Sequence, residues 1–364
     1  MKKKKARQPL KVVIAAGGTG GHLLPAQMLA KDLMEKEKAT VVLIGKGIKG
    51  RSCFYYDIPY YEITSSPLKK KKPFTTGFLI LKGIFQSLRL LKKIDPHVVV
   101  GFGSYHSFPI KVAAKIFRIP LVLFESNAVM GKVNRLFHKT AKKVALQLPL
   151  ERPYANHVFT PFLPWNQKQN LVPDYASLNL EKDLFTFLVF GGSQGSCAIN
   201  QAFINVVKNR SFSKPFQVIH LLGKEENVED IKNLYEEKKV PCYVVDFYQN
   251  MSELYLVADL AICRAGAATI GELLSYLVPA ILIPFPKASE QHQMKNAELF
   301  SKSILGGELI EEKNLTEELL FQSIEKMQKD LDSYKQNIAN FHEEKKRQGP
   351  KALYEIVKQV GVGL

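Results

Sequence analysis

Residues 11–25 read Lys-Val-Val-Ile-Ala-Ala-Gly-Gly-Thr-Gly-Gly-His-Leu-Leu-Pro: an apolar strand, a glycine-rich turn ending on His22, and a helical pattern opened by Leu24-Pro25. A strand–glycine turn–helix unit aims backbone N–H groups and the positive end of a helix at one point, where an anion is favoured. Histidine is the residue type whose unperturbed pKa lies near neutrality. An anion site with His22 beside it is the beginning of an enzyme reading.

Working outward, the same unit recurs. Strand candidates at 11–16, 40–44, 97–101, 121–124 and 143–146 alternate with helical patterns such as 24–34 and 107–117. Residues 165–183 break the rhythm with prolines and polar residues, and read as a linker. The pattern then restarts, with strands at 186–190, 217–221, 242–246, 260–263 and 280–283 and helices at 198–207 and 270–275. From about Leu315 a long helical tail follows, with a break at Gly349-Pro350. The expected fold class is α/β: two doubly wound Rossmann-like domains, 1–164 and 184–364, facing a cleft, the second carrying the helical C-terminal tail. In such sheets ligands bind at the carboxyl ends of the strands.

Composition narrows the function classes. The 364 residues suit two domains, each of roughly 150–180 residues. Four cysteines, Cys53, Cys197, Cys242 and Cys263, form no Cys-x-x-Cys pair. That argues against a zinc site or a disulfide framework and for a reducing compartment. The net charge of +17 points to nucleic acid, an anionic membrane surface or an anionic substrate. The apolar run after the N-terminal lysines is too short for a signal-peptide core. No stretch reaches the ~20 apolar residues of a membrane span, so the chain is expected to stay in the cytoplasm, touching a membrane from that side.

The spacing of the turns does not support a dinucleotide, the usual ligand of such a unit. Gly17-Gly18-Thr19-Gly20-Gly21-His22 is not G-x-G-x-x-G, nor is Gly191-Gly192-Ser193-Gln194-Gly195, which opens the second domain in the same way. The second strand ends at Ile44-Gly45-Lys46 with no acid for a ribose 2′-hydroxyl, and no P-loop is present. A third turn, Cys263-Arg-Ala-Gly-Ala-Ala-Thr269, leads into a helix bearing Glu272. There Thr269 can cap the helix or donate to a phosphate, and Glu272 can accept two ribose hydroxyls. The same spacing equally fits a capping box with Glu272 as its N3 partner.

The set Gly17–His22, Glu125-Ser126-Asn127, Gly191–Gly195, Arg264-Ala-Gly-Ala267 with Glu272, Pro284-Phe285, His292-Gln293 and Asn296 resembles, in one order, the MurG glycosyltransferase family. The resemblance runs from about Lys11 to Thr316. It implies a GT-B architecture and the transfer of N-acetylglucosamine from UDP-N-acetylglucosamine to lipid I, giving lipid II for peptidoglycan. By the same resemblance the second domain holds the donor. Ser193 and its turn meet the diphosphate, Tyr248 offers its backbone to uracil, and Arg264, Ala267, Ala268 and Thr269 line the nucleotide. Glu272 takes the ribose, and Gln293, with Asn296 behind it, grips the sugar. The first domain holds the acceptor: Thr19, Gly20 and Gly21 face the sugar and the acceptor diphosphate, and Asn127 the reacting region. The chain departs from the family pattern at Thr160-Pro161-Phe162-Leu163, where an arginine is expected, and at Gly103-Ser104-Tyr105, where a second glycine is.

The implied reaction is a single in-line displacement with inversion. His22 is the first candidate base. Glu125 is the second, and can instead hold a loop through backbone N–H groups. No cofactor is expected. The one Asp-x-Asp, Asp330-Leu331-Asp332, lies in the charged tail and reads as a solvated helix face, so no metal is expected either.

Residues 67–93 place Lys69, Lys70, Lys71 and Lys72 before an apolar run that includes Phe78, Leu79, Ile80, Leu81, Ile84 and Phe85. These wrap too far for one buried stripe and, with their basic flanks, suit an interfacial anchor on an anionic leaflet. The expected location is peripheral, on the cytoplasmic face of the bacterial inner membrane, with cell-wall synthesis proteins as further partners. A nucleic-acid-binding protein is the rival from another class, but no basic–aromatic platform appears. Another UDP-sugar transferase, or a UDP-sugar epimerase of the same fold, is the nearer rival.

Overall fold

A computed structural model of the chain describes residues 9–18, 20–48, 57–67, 73–152, 154–162, 172–192, 194–224 and 226–363. Thr19, Ser193, Lys69 to Lys72, Cys53, Leu163 and the N-terminal lysines, all singled out above, lie outside the described residues. The chain forms two units, each built on its own parallel sheet.

The first sheet has seven strands: β1 (Lys11–Ala15), β2 (Thr40–Gly45), β3 (Tyr60–Glu62), β4 (Val98–Phe102), β5 (Leu121–Glu125), β6 (Lys143–Leu146) and β7 (His157–Phe159). Their order is β3-β2-β1-β4-β5-β6-β7. Along β1, Val12 and Ile14 enter one core, and Val13 and Ala15 the other. A strand apolar on both faces needs helices on both faces. On one side α1 (Gly20–Glu37) supplies Leu23, Leu29 and Leu33. On the other, α2 (Pro73–Ile94), α3 (Phe108–Ile116) and α4 (Lys132–Phe137) supply Leu91, Ile110, Val133 and Phe137.

The second sheet has β8 (Phe185–Phe190), β9 (Phe216–Leu221), β10 (Cys242–Val245), β11 (Leu260–Cys263), β12 (Ala280–Leu282) and β13 (Gly307–Leu309), in the order β10-β9-β8-β11-β12-β13. Its helices are α5 (Cys197–Asn209), α6 (Val228–Glu237), α7 (Met251–Val257), α8 (Ala267–Tyr276), α9 (His292–Glu298), α10 (Glu317–Lys329) and α11 (Leu331–Arg347). Phe187 and Val189 pack with Phe203 and Val206 of α5 and with Leu320 and Ile324 of α10.

Three details differ from the sequence reading. Strands β3, β7 and β13, each three residues long, were not foreseen. Helix α1 begins at Gly20, four residues before Leu24, so the glycines belong to its first turn. The tail does not stay with the second unit: from Gly349 on, the chain groups with the first. There α12 (Leu353–Gly361) buries Leu353, Ile356 and Val357 in the α1 core. Burial of such side chains contributes about 1.5–3 kcal/mol each. Asn127–Val129, conversely, group with the second unit.

In each sheet the chain order reverses beside the first strand of the unit, between β1 and β4 and between β8 and β11. These are the topological switch points of doubly wound sheets, where ligands bind. The glycine turns stand at both.

Candidate active site

In the first unit, β1 hands over through Gly17 and Gly18 to α1, whose first-turn amides at Gly20, Gly21 and His22 have no partner within the helix. Gly18 N donates to Lys46 O at 3.0 Å, tying this turn to the end of β2. Beside it β4 ends in Gly103 and Ser104, both at positive φ. The two turns are interlocked by histidines. A Cβ on Gly18 would fall 2.5 Å from His106 Cδ2, and one on Gly103 would fall 2.9 Å from His22 Cε1. Each turn is thus kept free of a side chain by the other's imidazole. Ser104, at φ 61°, stands where a second glycine is expected, and its Oγ accepts from His106 N at 3.2 Å.

Glu125 closes β5 and is buried. Its Oε2 accepts from Gly131 N and from Asn134 Nδ2, both at 3.0 Å. This geometry is that of a carboxylate holding the loop 126–131.

In the second unit, β8 ends in the turn at Gly191, and α5 begins after Ser196, whose Oγ caps Ile199 N. Gly195 packs against Gly223 after β9: a Cβ on Gly195 would lie 2.5 Å from Leu222 O. Behind this turn Asn200 Nδ2 donates to Leu222 O at 2.9 Å and to Glu226 Oε1 at 3.1 Å, and its Oδ1 meets His220 Nε2 at 3.3 Å. His220 is fully buried, and burial lowers its pKa to about 3.

Arg264, at the end of β11, spans three segments. Its guanidinium donates to Ser196 Oγ at 2.7 Å and to Ile283 O at 3.2 Å, and pairs with Glu312. It therefore braces the glycine turn from behind. Helix α8 starts at Ala267 with Gly266 as its N-cap, and Ile270 N donates to Gly266 O at 2.9 Å. The capping box is thereby excluded: Thr269 is the third residue of the helix and Glu272 the sixth. The amides of Ala267, Ala268 and Thr269 form the helix's first turn. Glu272 Oε2 instead accepts from the buried Tyr255 hydroxyl at 2.9 Å, and Tyr255 stacks on Tyr276. Burial pushes the Glu272 carboxyl up to about 7, and the Tyr255 hydrogen bond pulls it partly back.

Tyr248 donates its hydroxyl to Glu253 at 2.6 Å, which holds its pKa up at about 12, so its side chain is tied down beside β10. Gln293 Oε1 accepts from Phe285 N at 2.9 Å, fixing the loop after β12. Asn296 is fully buried: Nδ2 donates to Ala265 O at 3.0 Å and to Asn127 Oδ1 at 3.1 Å, and Oδ1 accepts from Ala128 N at 2.9 Å. Its amide is spent on protein partners. Among the described residues no group of three His, Cys, Asp or Glu could hold a metal ion.

Outside these turns, the first turns of α2 present apolar side chains to solvent, while Leu91 further on enters the core. The helix buries Thr76, Gly83 and Ser87 and leaves Phe74 93% exposed, Phe78 and Leu81 67%, and Phe85 54%. Leu79, Ile80 and Ile84 are partly buried on its flanks. No described helix is long and apolar enough to cross a membrane. His106 and Tyr255 were not foreseen; neither sits in a motif, and only the strand order brings them to a turn.

Known proteins share this arrangement. Residues 12–146 match the glycosyltransferase family 28 N-terminal domain and residues 186–353 the glycosyltransferase family 28 C-terminal domain. The glycosyltransferase of kitacinnamycin, 14% identical, has the same fold with a TM-score of 0.72 over 97% of this chain and 99% of its own. Two parallel-sheet domains of this kind, each with a glycine turn at its switch point, define a GT-B glycosyltransferase. The UDP-N-acetylglucosamine--N-acetylmuramyl-(pentapeptide) pyrophosphoryl-undecaprenol N-acetylglucosamine transferase of Protochlamydia amoebophila is 37% identical over 324 residues, 86% of each chain. That of Chlamydia muridarum is 37% identical over 322 residues, 86% of this chain and 88% of its own. The crystal structure of Acinetobacter baumannii MurG matches with a TM-score of 0.76 at 27% identity, covering 96% of this chain and 100% of that one. The chain belongs to the MurG family.

Proposed function

We propose that this chain moves N-acetylglucosamine from UDP-N-acetylglucosamine to the muramoyl sugar of lipid I, with inversion, giving lipid II. The observation that carries the reading is the pair of glycine turns, one at each sheet's switch point, with an imidazole at the first and a carboxylate at the second. The second unit takes the donor. The turn at Gly191–Gly195, with Ser193, and the first turns of α5 and α8 receive the diphosphate, braced by Arg264. Ala267, Ala268 and Thr269 line it, Glu272 accepts the ribose hydroxyls, the backbone at Tyr248 meets uracil and Gln293 meets the sugar. Asn296 acts behind them.

The first unit takes the acceptor diphosphate on Thr19, Gly20 and Gly21. The acceptor hydroxyl oxygen forms the new bond to the anomeric carbon, and the bond from that carbon to the UDP oxygen breaks. His22 takes the hydroxyl proton, and turn amides meet the charge that grows on UDP. Glu125, with Oε2 already engaged twice, holds the loop that carries Asn127. The reading is tested by UDP release from UDP-N-acetylglucosamine with and without a lipid I analogue. Acceptor-dependent release is expected, and its absence would refute the transfer.

A lipid-linked acceptor requires docking on a membrane. Phe74, Phe78, Leu81 and Phe85 recur every three or four residues on α2, with exposed Lys82, Arg89, Lys92 and Lys93 on the same helix. This face, with Lys69 to Lys72 ahead of it, suits the anionic cytoplasmic leaflet. Flotation with phosphatidylglycerol vesicles should drop at least fivefold in F78E/L81E/F85E, and in the variant with Lys69 to Lys72 changed to Glu. Unchanged flotation in both rejects the docking.

A further inference from the structure

Lys111 takes no part in the proposed transfer, yet this residue of α3 is fully buried. A buried ammonium persists where its charge is met. Lys111 Nζ donates to Asn134 Oδ1 at 2.8 Å. Asn134, on α4, is itself fully buried, and its Nδ2 donates to Phe124 O at 2.9 Å and to Glu125 Oε2 at 3.0 Å. The amide dipole is thereby oriented, oxygen to the cation and nitrogen to the anion. Glu125 passes the connection on to Gly131 N at 3.0 Å. The neighbouring strand makes the room: a Cβ on Gly101 of β4 would fall 2.2 Å from Lys111 Cε. A Lys–Asn–Glu relay thus runs from α3 through α4 to the end of β5 and stops on the loop 126–131.

We propose that Lys111 is a positioning residue that, through Asn134, orients Glu125 and so fixes the loop that presents Asn127. The functional half of this inference rests on the transfer reaction proposed above.

Burial draws the Lys111 ammonium down to about 7, against the pull of Glu125. The other charged side chains of α2, α3 and α4, namely Lys82, Arg89, Lys92, Lys93, Lys115, Lys132 and Arg135, are exposed, and His106 ahead of α3 is partly buried. The cation therefore matters on the acid side, where the lysine is charged and its removal takes the cation from the relay. At alkaline pH the lysine is already neutral, so its loss changes little.

The test compares full-length wild type, Lys111→Met, Glu125→Gln and the double variant, by melting temperature and by acceptor-dependent UDP release from pH 5.5 to 8.5. Lys111→Met should melt lower than wild type, and Glu125→Gln added to it should recover at least half the loss, because no buried charge is then left alone. Its kcat/KM for the acceptor should fall at least tenfold at pH 6 and less than threefold at pH 8.5, with the donor KM within twofold. A double variant that melts no higher than Lys111→Met overturns the relay. A loss of activity equal at every pH overturns the positioning role. Should wild type show no acceptor-dependent release, the transfer reading fails by itself, and the melting comparison still decides the relay.

Discussion

The ends of β1 and β4 and the ends of β8 and β11 are one device with different side chains beside it. Both are switch points of a parallel sheet with a glycine turn running into a helix. In the first unit the turns are lined by imidazoles, His22 against Gly103 and His106 against Gly18. In the second they are lined by charged side chains: Arg264 is bonded to Ser196 and Ile283, and Glu272 to Tyr255. The fold places the first-turn amides of a helix in both places. What differs is the side chain beside them: an imidazole in the first unit, and in the second a guanidinium and a carboxylate bonded to protein partners.

The most damaging change should be His22→Ala. If the first turn carries the base, acceptor-dependent UDP release falls about 10²–10⁴-fold, with the donor KM nearly unchanged. A loss below tenfold would remove the base from this turn. Glu272→Ala comes next. Loss of a hydrogen bond to a charged group, about 1.5–3 kcal/mol, raises the donor Kd about 10- to 150-fold. Since burial lifts the Glu272 carboxyl to about 7 and the ionised form is the better acceptor, donor binding should tighten as pH rises from 6 to 8. Tyr255→Phe is smaller and sharper. Without its hydrogen bond the carboxyl titrates higher still, so the midpoint of that pH dependence moves up while saturated turnover at pH 8.5 stays within about threefold. The smallest effect expected is none: full activity in excess EDTA, measured by the same UDP release.

Much of this was legible in the sequence, for physical reasons. Strands buried on both faces are continuous apolar runs, so β6 and β11 fall where their residues predict. The edge strand β3 is exposed throughout and β7 only partly buried, so neither leaves such a run. The start of α1 was misplaced because glycines read as a turn, although a helix's first turn needs no side chains and its amides stay free. The Thr269–Glu272 spacing fits a capping box as well as a binding site; only the N-cap at Gly266 separates them. The return of α12 to the first unit has no local signature, since an amphipathic helix does not say which sheet it covers. The histidine interlock and the Lys111 relay join residues that meet only through strand order.

The division of labour between the two switch points is tested most directly by titrating UDP-N-acetylglucosamine calorimetrically into His22→Ala and Glu272→Ala alongside wild type. His22→Ala should bind the donor within about twofold of wild type, and Glu272→Ala at least tenfold more weakly. Equal weakening in both variants, or a Glu272→Ala chain that binds as wild type does, would contradict the assignment of the donor to the second unit.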